Sequence, residues 1–283
     1  MTVLEAIVLG IVQGLTEFLP ISSTAHLTLA GKLMVNDLII SNPKAWTAFM
    51  AVIQLGTMAA VIVYFWSDLW KIVPTFLKEN VVERKRFSEQ SLDSRMGWYI
   101  IVGTLPVAVI GLVFKDTIEG AFTKNLTVIS LSLLVLGILL AVAEKTGSFT
   151  RDEKGITWMD SLVVGCAQAL ALIPGSSRSG TTLTAGLFLG LKRETAARFS
   201  FLLSIPAVLA SGLFELKETL PDIHLSGSVN LVVATVAAAL SGYLAIDFLL
   251  RFLRRNSTFL FVYYRVLLGS LILVLIGLKV IVP

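Results

Sequence analysis

The amino-acid sequence predicts an all-α polytopic membrane protein of about ten helices. Six of these span the bilayer and the others form two re-entrant helical hairpins, within an inverted-topology repeat. Three observations predict this class. First, 55% of the 283 residues are hydrophobic and only 15% are charged, with a mean hydropathy of +0.84; a soluble domain carries about 25% charged residues. Second, the apolar runs are continuous rather than alternating, which selects helices over a barrel. Third, Pro20-Ile21-Ser22-Ser23 recurs as Pro174-Gly175-Ser176-Ser177, and each copy interrupts a hydrophobic stretch.

The apolar runs place helices at about 3–18, 23–34, 46–66, 97–114, 125–144, 157–172, 178–190, 195–214, 229–250 and 258–281. A spanning helix needs about 20 residues, and six runs approach that length. The pairs 3–18/23–34 and 157–172/178–190 fall short, and each is split by a Pro-x-Ser-Ser break. Such a pair is either one over-long broken span or a hairpin that enters and leaves on the same side. If both pairs are hairpins, fifteen Lys and Arg residues gather on one side, among them Lys71, Lys85, Arg151, Arg193, Arg198 and Arg254. Six gather on the other: Lys32, Lys44, Lys115, Lys124, Lys217 and Lys279. If each pair crosses once, the split is ten against eleven. The positive-inside rule favours hairpins, with both termini outside and the mixed-charge stretch 67–96, read as a loop, in the cytoplasm.

Order and length of the elements repeat. A hairpin plus three spans is followed by a second such set, giving one integral membrane domain over 1–283 with repeats at approximately 1–145 and 155–283. Three spans is an odd number, so the halves have opposite orientation and the two hairpin tips approach each other from opposite sides. Gln13 precedes the first break and Gln168 the second, with one residue of slippage. Phe49-Met50-Ala51-Val52-Ile53 parallels Phe199-Ser200-Phe201-Leu202-Leu203.

Smaller features fit the same picture. Glu5 near the start and the lack of a basic leader argue against a cleaved signal. Cys166 is the single cysteine, so there is no internal disulfide, and it is expected to pack as a small residue. Trp46, Trp66, Trp70, Trp98 and Trp158 fall at span ends, as interfacial anchors do. Pro106 and Pro206 are expected to kink their helices. The net charge of +4 reflects basic loops on one side, and no nucleic acid partner is expected.

The breaks carry the chemistry. Gln13 and Glu17 stand four apart on one helical face. A carboxylate inside an apolar run is costly without a task or a partner. Ser22, Ser23, Thr24 and His26 follow, and Ser23 and His26 share a face if the second arm starts near Ser23. Ser22 and Thr24 have an alternative use, satisfying the backbone groups that the break opens. The second break continues through Gly175, Ser176, Ser177, Arg178, Ser179, Gly180, Thr181 and Thr182. Glycines admit backbone N–H groups to a ligand, hydroxyls add donors, a helix start adds a positive dipole end, and Arg offers a planar fork. This is the composition of an oxyanion cradle. Arg178 has Glu17 or a bound anion as its natural partner. Arg265 lies roughly 10 Å into the last helix and either faces the same cavity or pairs structurally. Asp247 reads as an interfacial charge and His224 as a bystander in an outer loop. No Cys/His cluster suggests a structural metal, whereas a hard divalent cation held by Glu17 and substrate oxygens is compatible with the residues.

These residues resemble the undecaprenyl-pyrophosphate phosphatase family, the bacitracin-resistance phosphatases of bacterial membranes. That family carries Glu/Gln-x-x-x-Glu, matched by Gln13 and Glu17, then Ser-Ser-Thr-x-His, matched by Ser22, Ser23, Thr24 and His26. Its second motif, Pro-Gly-x-Ser-Arg-Ser-x-x-Thr, is matched by Pro174, Gly175, Ser177, Arg178, Ser179 and Thr182. Gln54-Leu55-Gly56, Phe199 to Pro206 and Tyr264-Arg265 extend the likeness along the chain. The resemblance implies hydrolysis of the terminal phosphate of a C55 isoprenyl diphosphate in the bacterial plasma membrane. It implies a site opening to the outer face and dependence on Mg²⁺ or Ca²⁺. It also implies lipid-carrier recycling for cell-wall synthesis, with bacitracin resistance as a consequence.

On that basis Glu17 binds the cation with Gln13 assisting, and Arg178, Ser22, Thr24, Gly175, Ser176, Ser177, Ser179, Thr182 and Arg265 hold the phosphates. Either Ser23 attacks phosphorus with His26 as its base, or His26 activates a water. Position 13 is Gln where many members have Glu, which weakens a two-carboxylate mechanism. The expected partners are the polyprenyl diphosphate and the bilayer, with a homodimer left open. A lipid flippase or secondary transporter with an anion site at the midplane is the alternative, because inverted repeats with broken helices are common among transporters.

Overall fold

The structure is a computed structural model that describes residues 1–35, 43–114, 125–219 and 225–281. Among them the chain forms eleven α-helices and no β-strand. The helices are α1 (Val3–Phe18), α2 (Ser23–Met34), α3 (Pro43–Tyr64), α4 (Trp66–Leu77), α5 (Leu92–Val113), α6 (Leu126–Thr146), α7 (Trp158–Ala169), α8 (Arg178–Phe188), α9 (Arg193–Thr219), α10 (Leu225–Leu253) and α11 (Phe259–Gly277). Helices α5, α6, α9, α10 and α11 are long and apolar enough to cross a membrane, and the bent pair α3/α4 supplies up to a sixth span. The class predicted from composition is therefore the one observed, a polytopic helical membrane protein. Lys115, Lys124, His224 and the side chain of Lys44 lie outside the described residues.

Helix starts follow capping chemistry. Thr2 caps α1 and Thr157 caps α7, each in a reciprocal box with the acid three residues on, Glu5 and Asp160. Asn125 caps α6 and Ser91 caps α5, so α5 starts five residues before the expected Gly97. Pro106 and Pro206 lie inside α5 and α9.

Three expectations are corrected. The stretch 67–96 is not simply a loop, because α4 and a π-helical turn at Lys78–Val82 occupy its first part. Trp66, Trp70, Val73 and Leu77 recur at helical spacing and are exposed on one face of α4, which turns 78° away from α3. The interleaved Asp68, Lys71 and Lys78 mask that periodicity in the sequence. Cys166 is exposed rather than packed, because α7 buries Ser161, Val164, Gly165 and Gln168 instead. Trp46 is buried and stacks on Phe49 with ring centroids 5.8 Å apart, whereas Trp66, Trp70, Trp98 and Trp158 face outward.

Without a hydrophobic force between helices in lipid, close approach depends on small residues. Helix α1 packs on α10 and α7 packs on α5. A Cβ on Gly14 would sit 2.0 Å from Ser241 Oγ, and one on Gly165 would sit 2.3 Å from the Gly103 carbonyl oxygen. Helix α10 also packs on α3 and α5 on α9, while α3 meets α9 and α6 meets α11. The largest core cluster includes Phe18, Phe65, Phe199, Phe201, Leu203 and Ile246, with the Phe18 and Phe201 rings edge to face at 5.4 Å.

Ion pairs join the segments that the charge count places together. Arg198 bridges Asp68 at 3.0 Å and Glu153 at 2.8 Å. Arg254 meets Glu194 at 2.8 Å, and Arg193 pairs with Glu144, which also accepts from Thr258. Asp247 accepts from Arg251 at 3.0 Å and Tyr64 at 3.3 Å.

Gly165→Leu is expected to cost about 1–3 kcal/mol of stability, because the added side chain overpacks the α5–α7 contact. Gly111→Leu should cost nothing measurable, since no atom lies within 4 Å of the added Cβ. Thermal unfolding in detergent compares the two; equal melting temperatures would contradict the packing account.

Candidate active site

The site forms where the two breaks meet. Helix α1 ends at Phe18, with Leu19 already extended and Pro20 next, which cannot donate to a continuing helix. Ser22 then takes φ 73°, in the left-handed region, and its Oγ accepts from the Ala25 N–H that α2 leaves open. The second break has the same geometry: Ser177 takes φ 66° and accepts from the Gly180 N–H at 3.2 Å. A non-glycine residue held there costs of order 1–3 kcal/mol, a strain that concentrates at functional sites. Aligned on these cap serines the slippage disappears, because Gln13 and Gln168 each precede their cap by nine residues. Ser23 then matches Arg178 as the first residue of its helix.

Glu17 and Arg178 close the breaks on each other, with Arg178 Nη2 donating to Glu17 Oε1 at 2.8 Å. Three further donors converge on the carboxylate: Gln54 Nε2 on Oε1 at 3.2 Å, and Ser23 Oγ at 2.8 Å and Gln13 Nε2 at 3.1 Å on Oε2. Ser179 Oγ adds a second tie between the breaks, donating to the Leu19 carbonyl at 3.0 Å.

Arg265 supplies the third tie. Its side chain is fully buried, with 0% exposure. Its guanidinium donates to Pro20 O at 3.4 Å in the first break and Ser176 O at 2.9 Å in the second, and to Leu133 O and Ser132 O of α6. The expectation that Arg265 holds substrate phosphate is therefore corrected. Broken helices leave carbonyls that lipid cannot satisfy, and this cation is spent on them.

A cavity of about 610 Å³ lies beside the join. Of the residues expected at the site, Glu17, Ser22, Ser23, Thr24, Gly175, Ser177 and Arg178 line it. Aliphatic walls come from α5 and α9, with Val107, Ala108, Leu112, Ala207, Val208 and Ala210. Gln13 acts through Glu17 instead. Ser176, Ser179 and Thr182 do not line the cavity. Ser176 Oγ donates at 2.8 Å to the Leu170 carbonyl, near the end of the first arm of the second break, and Thr182 Oγ1 back-bonds at 2.7 Å to the Arg178 carbonyl within α8.

The expected Ser23–His26 pair is not formed. His26 Nδ1 lies 2.7 Å from the Ser22 carbonyl, which can only accept, so Nδ1 carries the hydrogen. In the neutral ring Nε2 then accepts from Tyr264 Oη at 2.6 Å, and the two rings stack. The imidazole turns toward α11, and Ser23 turns toward Glu17. Sequence reasoning missed Gln54, Gln168, Thr104 and Ser211, all on the cavity wall. Gln54 and Gln168 were noted only as points of likeness, although a buried amide in an apolar helix is itself a signal.

The fold and site together define a polytopic helical membrane protein with a cavity that sets Arg178, Glu17 and Ser23 against aliphatic walls beside the join of two breaks. The chain belongs to the bacitracin resistance protein BacA family, whose profile it matches over residues 6–271. It is 61% identical over 273 residues to an undecaprenyl-diphosphatase of Syntrophobacter fumaroxidans, covering 96% of this chain and 97% of that one. Undecaprenyl-diphosphatases of Myxococcus xanthus and Chloroherpeton thalassium are 52% identical over 276 residues and 49% over 287. Those alignments cover 98% of this chain in both cases, and 90% and 98% of the respective relatives.

Arg265→Met should lower the stability of the purified protein by about 3 kcal/mol, as the Pro20 and Ser176 carbonyls of the two breaks lose this donor together. Thermal unfolding without substrate checks this. An unchanged melting temperature would return Arg265 to the phosphate-binding set.

Proposed function

We propose that this chain hydrolyses undecaprenyl diphosphate to undecaprenyl phosphate and inorganic phosphate. The product is the lipid carrier of peptidoglycan synthesis, and removal of the diphosphate form confers bacitracin resistance. One observation carries this reading: a single cavity sets Arg178, Glu17 and Ser23 against aliphatic walls, which matches a ligand with an anionic head and a prenyl tail.

The bilayer is the bacterial plasma membrane, and the site opens to the outer face. Support comes from the charge asymmetry, which puts the ends of α5 and α9 outside, and from Leu112 and Phe214 near those ends on the cavity wall. The halves, approximately 1–145 and 155–283, form an inverted repeat with two re-entrant hairpins. Support comes from the matched cap serines and from packing partners that exchange between halves, α1 with α10 as α7 with α5, and α3 with α10 as α9 with α5.

Arg178 neutralises the terminal phosphoryl group, aided by the positive end of α8 and the Ser177 and Gly175 segment. Ser23 Oγ attacks phosphorus while Glu17 Oε2, which already accepts its hydrogen, takes the proton. The bond from phosphorus to the bridging oxygen breaks and undecaprenyl phosphate leaves. Water then attacks the phosphoserine, and inorganic phosphate is released as Ser23 recovers its proton. Gln13 and Gln54 hold Glu17 in register, and His26 holds the Ser22 carbonyl and so the start of α2.

No cluster of three His, Cys, Asp or Glu exists among the described residues. A hard divalent cation still fits, since such ions use few carboxylates plus substrate phosphate. Glu17 would hold it, with the Gln13 carbonyl oxygen beside it. When bound, Mg²⁺ or Ca²⁺ supplies charge neutralisation at the diphosphate.

Purified protein in detergent with undecaprenyl diphosphate and Mg²⁺ should release phosphate. Arg178→Ala should lower kcat/KM by about 100–1000-fold. Phosphate release by that variant near the wild-type rate would refute the assignment, and intact substrate with the wild-type protein would favour a transporter.

A further inference from the structure

Gln168 on α7 is 1% exposed and lines the cavity, yet neither Oε1 nor Nε2 of its amide has a hydrogen-bond partner. Buried polar groups are nearly always paired, and an exception calls for an explanation. The contrast with Gln13 supplies the local reason. Gln13 has Glu17 four residues on and donates to it, whereas Gln168 has Leu172 at that place. Leu172 offers nothing to bond, so the amide is left unpaired in the cavity wall. Arg178 is in the same condition: Nη2 is held by Glu17, and Nη1 is buried with no partner. Residues of one cavity wall thus hold two unspent buried donors and one unspent buried acceptor.

We propose that Gln168 is a phosphate-binding residue of this cavity. Its Nε2 donates to a non-bridging oxygen of the terminal phosphoryl group, which Arg178 Nη1 holds through another. Its Oε1 accepts from a hydroxyl, that of the incoming water or of a monoprotonated phosphate. In phosphoryl transfer, charge spreads over three equatorial oxygens, so donors from two directions stabilise more than one arginine alone. The inference rests on the diphosphatase reading above and adds to it the α7 wall as a phosphate contact.

The test uses full-length protein in detergent with farnesyl diphosphate as a soluble probe. Gln168→Met keeps length and removes both polar atoms. It should lower kcat/KM by about 10- to 100-fold and leave the melting temperature of the ligand-free protein unchanged or higher, since no bond is lost. Gln168→Glu should be poorer still at alkaline pH, where a carboxylate opposes the phosphate, and should recover as pH falls and the side chain regains a donor. Wild-type kcat/KM in Gln168→Met would overturn the proposal, as would a loss of activity that tracks a loss of ligand-free stability. Arg178→Ala in the same assay separates the two levels. Loss of turnover there with Gln168→Met intact removes only this inference; full turnover in both removes the site itself.

Discussion

Backbone bonding in a low-dielectric medium is the constraint on which the structure depends. Lipid offers no donor or acceptor, so every carbonyl and N–H freed by a helix break must find a partner within the protein. This chain breaks two helices and meets the requirement by bringing the breaks together. Arg265 is the central donor, one guanidinium reaching Pro20 O and Ser176 O across the join and the carbonyls of α6 behind it. A buried cation with no carboxylate partner is costly. It is tolerated here because it donates to carbonyls on every side, two of which, Pro20 O and Ser176 O, belong to the breaks. Ser176 and Ser179 add donors to two further carbonyls at the breaks, Leu170 O and Leu19 O.

With the backbone satisfied by these groups, the others are released for the cavity. Ser23 and Arg178 occupy equivalent first positions of α2 and α8, just after serines in the left-handed conformation. That conformation turns the chain sharply enough for each helix to begin with its first side chain directed at Glu17. The halves therefore present different chemistry from the same backbone, a hydroxyl from one and a guanidinium from the other, and both meet on Glu17. Four donors on one carboxylate fix its position. The local order of the site follows from this hub.

Much of this was legible in the sequence. Class, most helix positions, both breaks and the pairing of Glu17 with Arg178 follow from hydropathy and from ionisable residues standing where lipid would reject them. The functions of the individual hydroxyls were not legible. Ser176, Ser177, Ser179 and Thr182 look alike in a motif, and only the rotation set at Ser177 decides which side chains face the cavity and which turn back to carbonyls. Arg265 was ambiguous for a related reason, since its partners are backbone oxygens that leave no mark in the sequence. The direction of the His26 ring was not legible, because helical spacing places it near Ser23 without fixing the ring, and Tyr264, 238 residues away, decides it. Helix α4 was lost in its charges, although its Trp66 and Trp70 spacing was present.

The distribution of satisfied and unsatisfied groups is itself functional information. Around the join, Glu17, Ser23 and Arg265 all have partners, while among the described cavity-lining residues the unpaired buried atoms are those of Gln168 and Arg178 Nη1. An apolar cavity could have been closed by one more leucine on α7, which would be cheaper in lipid than an unpaired amide. Retaining the amide is consistent with a ligand that brings its own oxygens. The aliphatic walls of α5 and α9 cannot supply such oxygens, and neither can the prenyl tail. The phosphate end of the substrate can, so the polar deficit and the apolar walls describe the two ends of one amphiphile.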